Sequence, residues 1–229
     1  KYLRFTWQAW RLVTSTFVSR GRPGTSRVQQ AVEFKISPTQ YGFRPNKSTA
    51  HATFLIRRLQ DWAEQKHAQF YLALIDWEKA FDKVLHDKLF ASLTRLGLSQ
   101  HFISAIKALY QSPTFYVQDE YGKSAVRSQN TGIRQGCPLS PYLFLLVMTC
   151  VDADVKRRCS NTVADARVPG VHFDAVFYAD DTILFSTDPD ALNELLHHIE
   201  DCSQHYGLKI NRGKCHSIHM YHDSAIHFQ

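Results

Sequence analysis

Phe177-Tyr178-Ala179-Asp180-Asp181-Thr182-Ile183-Leu184-Phe185 sets two adjacent acids inside an otherwise apolar, β-favouring run. Ala175 to Tyr178 lead into the acids and Ile183 to Phe185 lead away, which predicts a strand, a tight turn and a second strand. The flanks of such a hairpin are buried, so the carboxylates ride on a rigid support. Two carboxylates this close repel each other, and the pKa of at least one rises unless a cation sits between them. Mg²⁺ is the simplest such cation: it is hard, prefers carboxylate oxygens and keeps waters for phosphates. A bare Asp-Asp pair is more often a polar turn, so the rest of the chain must carry the argument.

With 229 residues and 44% hydrophobic content, the chain can bury a core for one large domain or two lobes. No apolar run approaches the ~20 residues of a membrane span, and no secretory signal opens the chain. Lys1 in place of an initiator Met suggests an excised or processed segment. Cys137, Cys150, Cys159, Cys202 and Cys215 are odd in number and lack a CxxC pair, so they read as reduced intracellular thiols. The net charge is +6, and Lys1, Arg4, Arg11, Arg20, Arg22 and Arg27 all precede the first acid, Glu33. That excess suits a polyanionic partner, although charge alone does not identify one.

Residues 1 to 36 form an unassigned basic segment, with Arg20 to Arg27 composed as a basic loop: either a solvated linker or a phosphate clamp. Ile36 to Thr49 is a Pro- and Gly-punctuated loop expected to expose Arg44 and Lys47, with Ser48 or Thr49 capping the next helix. That helix, Ala50 to Gln65, places Phe54, Leu55, Leu59 and Trp62 on one face. Phe70 to Ile75 is a continuous apolar run, read as a buried strand ending at Asp76. An acid there is costly to bury and points to chemistry. Helices are expected over Asp87 to Leu96, ended by Gly97, and over Gln100 to Tyr110. A hairpin over Thr114 to Ser128 follows. Thr131 to Pro141 is a Gly-Pro loop whose Gly132 and Gly136 would admit a ligand close to backbone, with Gln135 able to hydrogen-bond it. An apolar helix, Tyr142 to Lys156, comes next. After the Asp-Asp hairpin, Asp188, Pro189 and Gly207 bound one more helix, and a strand is expected to start at Leu208.

Three blocks stand out: Leu72 to Asp82 (LALIDWEKAFD), Gly132 to Pro141 (GIRQGCPLSP) and Phe177 to Asp181 (FYADD). They resemble motifs A, B and C of reverse transcriptases. Gly207 to Asn211 with Lys214 is similar to motif D, and Gln40 to Pro45 (QYGFRP) to the fingers block before motif A. The wording is nearest to non-LTR (LINE-type) retrotransposon enzymes, with group II intron enzymes more distant. Five blocks in order make the match specific, and it covers about residues 37 to 215. The resemblance implies an α+β fold: a polymerase palm of antiparallel sheet backed by helices, with partial fingers over residues 37–229 and the thumb absent or truncated.

It also implies an RNA-directed DNA polymerase that extends a primer 3′-hydroxyl with dNTPs, using an RNA template and a DNA primer. Such transfers work by positioning and charge neutralisation, with two Mg²⁺ ions about 3.5–4 Å apart and Mn²⁺ as a substitute. By the same resemblance Asp76 and Asp180 bridge the metals and Asp181 is a looser ligand. Trp77, Phe81, Gln135, Gly136 and Lys214 fall at the nucleotide. Phe81 is where the family places an aromatic that excludes a 2′-hydroxyl; its bland alternative is core packing. Lys214 would protonate pyrophosphate, ahead of Lys209. Arg44, Lys47, Arg134 and Tyr178 would contact nucleic acid. No membrane is implied, and the setting is intracellular, in the nucleus.

The competing reading from another class is a catalytically silent nucleic-acid-binding remnant of a retroelement. Asp76, Asp180 and Asp181, all intact, argue against it. Cys202, His205, Cys215, His216, His219 and His222 invite a zinc reading, but they divide between a helix and a strand and share no close ligand pair with common fingers.

Overall fold

Phe70 to Ile75 has no polar residue to turn toward water, and a strand of that kind needs cover on both faces. The computed structural model, which describes residues 2–4, 27–111, 113–134 and 137–221, gives it that cover. The elements up to this strand are β1 (Tyr2–Arg4), α1 (Arg27–Val32), α2 (Thr49–Lys66) and the strand itself, β2 (Phe70–Ile75). Then follow α3 (Ala80–Lys83), α4 (His86–Arg95), α5 (Gln100–Leu109), β3 (Thr114–Asp119), β4 (Gly122–Lys123) and β5 (Arg127–Ser128). The C-terminal part contains α6 (Ser140–Arg158), α7 (Asn161–Asp165), β6 (Ala175–Tyr178), β7 (Asp181–Ser186), α8 (Pro189–His205) and β8 (His216–Met220).

The main sheet has the order β6-β7-β2-β8, every pair antiparallel. Successive side chains of a strand point to opposite faces, so β2 feeds two cores. Tyr71, Ala73 and Ile75 join the large core with residues of α4, α5, α6 and α8. Phe70 and Leu72 join a smaller core on the other face, with Val176, Phe185 and Ala52, Leu59 and Ala63 of α2. Burying each large apolar side chain contributes about 1.5–3 kcal/mol. Val32 and Ile36 pack in the large core as well, so the chain from α1 onward is part of it. A second small sheet is built from β1, β3 and β4, with β5 also paired to β3.

Local signals set the helix ends. The Ser48 side chain accepts from His51 N at the start of α2, and Asp188 Oδ1 accepts from Ala191 N at 2.8 Å at the start of α8, with Pro189 in the first turn. Of the face expected on α2, Leu59 is buried and Leu55 and Trp62 pack partly buried on the small core, whereas Phe54 is 64% exposed. Ala52 and Ala63 complete the buried stripe, small residues that let the helix settle close on the sheet. The strand expected from Leu208 starts instead at His216. Ile210 makes a single antiparallel bridge to Trp77, and a 3-10 turn over Arg212–Lys214 separates it from β8.

Candidate active site

The β6–β7 hairpin closes with Tyr178 opposite Asp181, leaving Ala179 and Asp180 as a two-residue loop. Such loops need positive φ at one or both positions, and Ala179 has φ 56°. Ile75 pairs with Thr182, so continuing that register by one residue brings Asp76 opposite Asp181. Asp76 is fixed on its other side too, because Asn211 N donates to its carbonyl at 2.8 Å. The three acids therefore meet at one end of the two central strands, with Asp76 and Asp180 half-buried and Asp181 exposed. Although the residue as a whole is exposed, partial desolvation of its carboxyl, then the Asp180 and Asp76 charges, push Asp181 above its ordinary range. That is the repulsion expected of crowded carboxylates.

A cleft of about 490 Å³ lies between this end of the sheet and α2, lined by Asp76, Tyr178, Asp181 and Lys214 on one side and Thr53 and Arg57 on the other. Among the described residues no three His, Cys, Asp or Glu side chains are gathered tightly enough to hold a metal ion as they stand. A metal at the acids thus rests on their charge and chemistry, which fit: hard oxygen donors whose mutual repulsion a divalent cation relieves. The Cys-His set is spread out: Cys202 is 2% exposed inside the core, His205 ends α8, and His216 and His219 lie on β8. His222 lies outside the described residues.

Trp77, expected at a nucleotide, faces the large core at 5% exposure. Its indole Nε1 donates to Thr182 Oγ1 at 3.1 Å, and that hydroxyl donates to Asp180 O at 3.3 Å. Trp77 and Thr182 thus tie the end of β2 to the turn, a task sequence reasoning missed for both. Phe81 is half-buried; one face stacks on Phe144, with centroids 4.4 Å apart and rings inclined by 20°. Arg134 lies at the end of the described part of its loop, its guanidinium 5.8 Å from the Tyr110 ring centroid. Gln135, Gly136 and residues 20–26 of the basic run lie outside the described residues. The space that Gly132 leaves is taken by the chain itself: a Cβ there would come within 2.7 Å of Asp82 O.

The expected exposure of Arg44 and Lys47 is also corrected. Arg44 Nε donates to Glu33 Oε1 at 2.8 Å, and its Nη1 donates to Ser37 O at 2.8 Å and Gln40 O at 3.0 Å. Lys47 Nζ donates to Pro38 O and to Gln40 O, and lies 4.5 Å from the Tyr41 ring centroid. A polar loop leaves several carbonyls without strand partners, and these two cations turn inward to satisfy them. Gln40, 1% exposed, is the site residue that charge and motif reading passed over. The sequence carries no local signal for it, because its partner Ala179 lies 139 residues away.

The sequence pattern of the family described as reverse transcriptase (RNA-dependent DNA polymerase) matches residues 7–228. The Pol polyprotein of the R2 retrotransposable element of Nasonia vitripennis is 31% identical over 181 residues, which are 78% of this chain and 17% of that protein. That of R2DM from Drosophila melanogaster is 28% identical over 181 residues, 79% of this chain and 17% of that protein. The RNA-directed DNA polymerase of the mobile element jockey from Drosophila funebris is 26% identical, over 78% of this chain and 19% of that protein. The chain therefore spans under a fifth of these relatives. Among solved structures, apo telomerase from Candida tropicalis superposes with a TM-score of 0.67 at 16% identity, over 94% of this chain and 43% of that one. A likeness at that identity speaks for the fold: a palm sheet backed by helices.

Proposed function

Because this chain belongs to the reverse transcriptase (RNA-dependent DNA polymerase) family, as its relatives in LINE-type retrotransposons do, we propose that it extends a DNA primer on an RNA template. The observation that carries the proposal is the register that puts Asp76 opposite Asp181 with Asp180 in the adjoining turn. Asp76 and Asp180, with Asp181 beside them, would hold two divalent ions, Mg²⁺ or Mn²⁺. When bound, such ions supply charge neutralisation for phosphoryl transfer.

The protein's own share is placement. The hydrogen bond from Trp77 through Thr182 to the Asp180 carbonyl fixes the height of the turn. Phe81, five residues after Asp76 and braced from behind by Phe144, would present a flat ring suited to excluding a 2′-hydroxyl by contact. Lys214 lines the same cleft and would face the leaving pyrophosphate. A nucleic-acid partner is also supported by the excess of 27 Lys and Arg over 21 Asp and Glu, and by a telomerase of the same fold solved with an RNA fragment. The test is extension of a labelled DNA primer on RNA with Mg²⁺, comparing wild type with Asp180→Asn. Product from wild type alone supports the proposal. No product from either favours a silent nucleic-acid-binding remnant, and product from both removes Asp180 from the chemistry.

A further inference from the structure

We propose that Gln40 is a positioning residue: its carboxamide clamps both backbone groups of Ala179 and thereby sets the place of Asp180. The Gln40 Oε1 accepts from Ala179 N at 2.8 Å and from Gly42 N at 2.8 Å, while Nε2 donates to Ala179 O at 3.1 Å. One buried side chain thus gives a partner to both the N–H and the C=O of the residue that starts the loop. The clamp is needed because Ala179 sits at φ 56°, a left-handed conformation that a residue with a Cβ disfavours. A turn that its own sequence does not prefer must be held from outside.

The neighbouring contacts share the same purpose. Residues 39 to 41 run beside β6 as a short parallel bridge, with Phe177 N donating to Thr39 O at 3.0 Å and Tyr41 N to Phe177 O at 2.7 Å. Gly42 presses directly on the turn: a Cβ there would lie 2.2 Å from Ala179 N. The segment that presents Gln40 is itself pinned by Arg44 and Lys47 to its carbonyls, and by Ser37 Oγ to Asp152 Oδ2 at 2.9 Å. Glu33 anchors Arg44 in turn. A continuous chain of bonded groups therefore runs from Glu33 through the loop to the acid-bearing turn. Arg44 and Lys47, which look like phosphate contacts in the sequence, spend their charge on stiffening this support. A misplacement of about 1 Å at a reacting group can cost on the order of 10²-fold in rate, so the clamp bears on turnover and not on grip of the nucleic acid.

The proposal rests on the polymerase reading for its effect on rate, but its geometry can be tested without it. Gln40→Ala removes the whole clamp, and Gln40→Glu, when ionised, keeps the shape and the acceptor for Ala179 N but replaces the donor to Ala179 O with a second acceptor oxygen. Amide hydrogen exchange is measured by NMR on wild type and both variants, alongside primer extension and primer–template affinity. The expected result is exchange roughly tenfold faster or more at Ala179 to Asp181, with α8 amides unchanged. Turnover should fall by roughly tenfold or more while template Kd stays within about twofold. Ala179→Gly, which tolerates positive φ unaided, should restore part of both losses in Gln40→Ala. Unchanged exchange at the turn overturns the clamp. So does acceleration spread equally over α8, or a fall in turnover fully matched by weaker template binding. If Gln40→Ala fails to fold, the same criteria apply to Gln40→Glu. If wild type extends no primer, the polymerase reading falls, and the exchange measurement alone decides the clamp.

Discussion

Replacing Gly132 with alanine should destabilise the protein by more than its backbone conformation alone explains. Gly132 has φ 88°. A Cβ added there would meet Asp82 O at 2.7 Å, Cα at 2.8 Å and C at 2.9 Å, all backbone atoms that cannot swing away. The residue cannot rotate to relieve this, because its N donates to Val84 O at 2.8 Å and its O accepts from His86 Nε2 at 2.9 Å. The left-handed conformation costs about 1 kcal/mol for alanine, and forcing backbone apart in a packed region adds roughly 1–3 kcal/mol. Gly170 supplies the internal control, since its φ is 80° but nothing lies within 4 Å of its Cβ position. Gly170→Ala should therefore cost only the conformational part. At roughly 2–4 °C of Tm per kcal/mol for a domain of this size, the two variants should separate clearly. The assay is a denaturant titration of both variants and wild type, with the slope checked for constancy. Equal losses for the two substitutions would refute the close approach of the 132 loop to Asp82.

Asp181 has a carboxyl pKa raised by burial and by the Asp180 and Asp76 charges. The folded state therefore holds more protons than the unfolded state between the two pKa values, and stability falls as pH rises through that window. Asp181→Asn should then melt above wild type at pH ~7 in metal-free buffer, with the gap closing toward pH ~4; a gap that does not change with pH contradicts this. Asp154 shows the opposite sign: burial pushes its carboxyl up, but hydrogen bonds from Tyr206, Arg157 and Arg95 outweigh it and hold the carboxyl low. Tyr206→Phe removes the 2.5 Å bond and should cost about 1.5–3 kcal/mol at neutral pH. That cost should shrink as pH falls through the carboxylate range, a trend thermal melts across pH would show. Phe81→Val should raise rNTP over dNTP incorporation by roughly tenfold in single-nucleotide kcat/KM. An unmoved ratio would leave Phe81 as a packing partner of Phe144.

The elements legible in the sequence were those whose signals are local. Phe70 to Ile75 reads as a strand covered on both faces, and the hairpin lifts Asp180 onto its turn while Asp181, also expected on the turn, opens β7. Asp188, Pro189 and Ser48 fix helix starts through side chains next to them in sequence. What stayed hidden depends on partners far along the chain. On α2 the expected Leu55, Leu59 and Trp62 do pack, but Ala52 and Ala63 complete the buried stripe in place of Phe54, small residues that a hydrophobicity pattern underweights. Arg44 and Lys47 read as exposed charges because the carbonyls they satisfy belong to an irregular loop whose course no periodicity announces. Gln40 lies 139 residues from Ala179, and nothing near it in sequence says that its carboxamide is spoken for. Trp77, adjacent to an acid in a motif, was read by association, whereas the alternation of β2 continued by two residues already points its ring into the large core.

The central claim is that Asp76 and Asp180 form one cation-binding edge, and Mn²⁺ binding followed by electron paramagnetic resonance tests it most directly. The measurement titrates Mn²⁺ into wild type, Asp76→Asn, Asp180→Asn and Glu78→Gln in the presence of primer–template and dNTP. Glu78 serves as a nearby carboxylate outside the edge, its side chain 3.7 Å from Lys209. The account predicts bound Mn²⁺ in wild type and Glu78→Gln, and a loss of roughly tenfold or more in affinity in each aspartate variant. Equal Mn²⁺ affinity in all four proteins would contradict it.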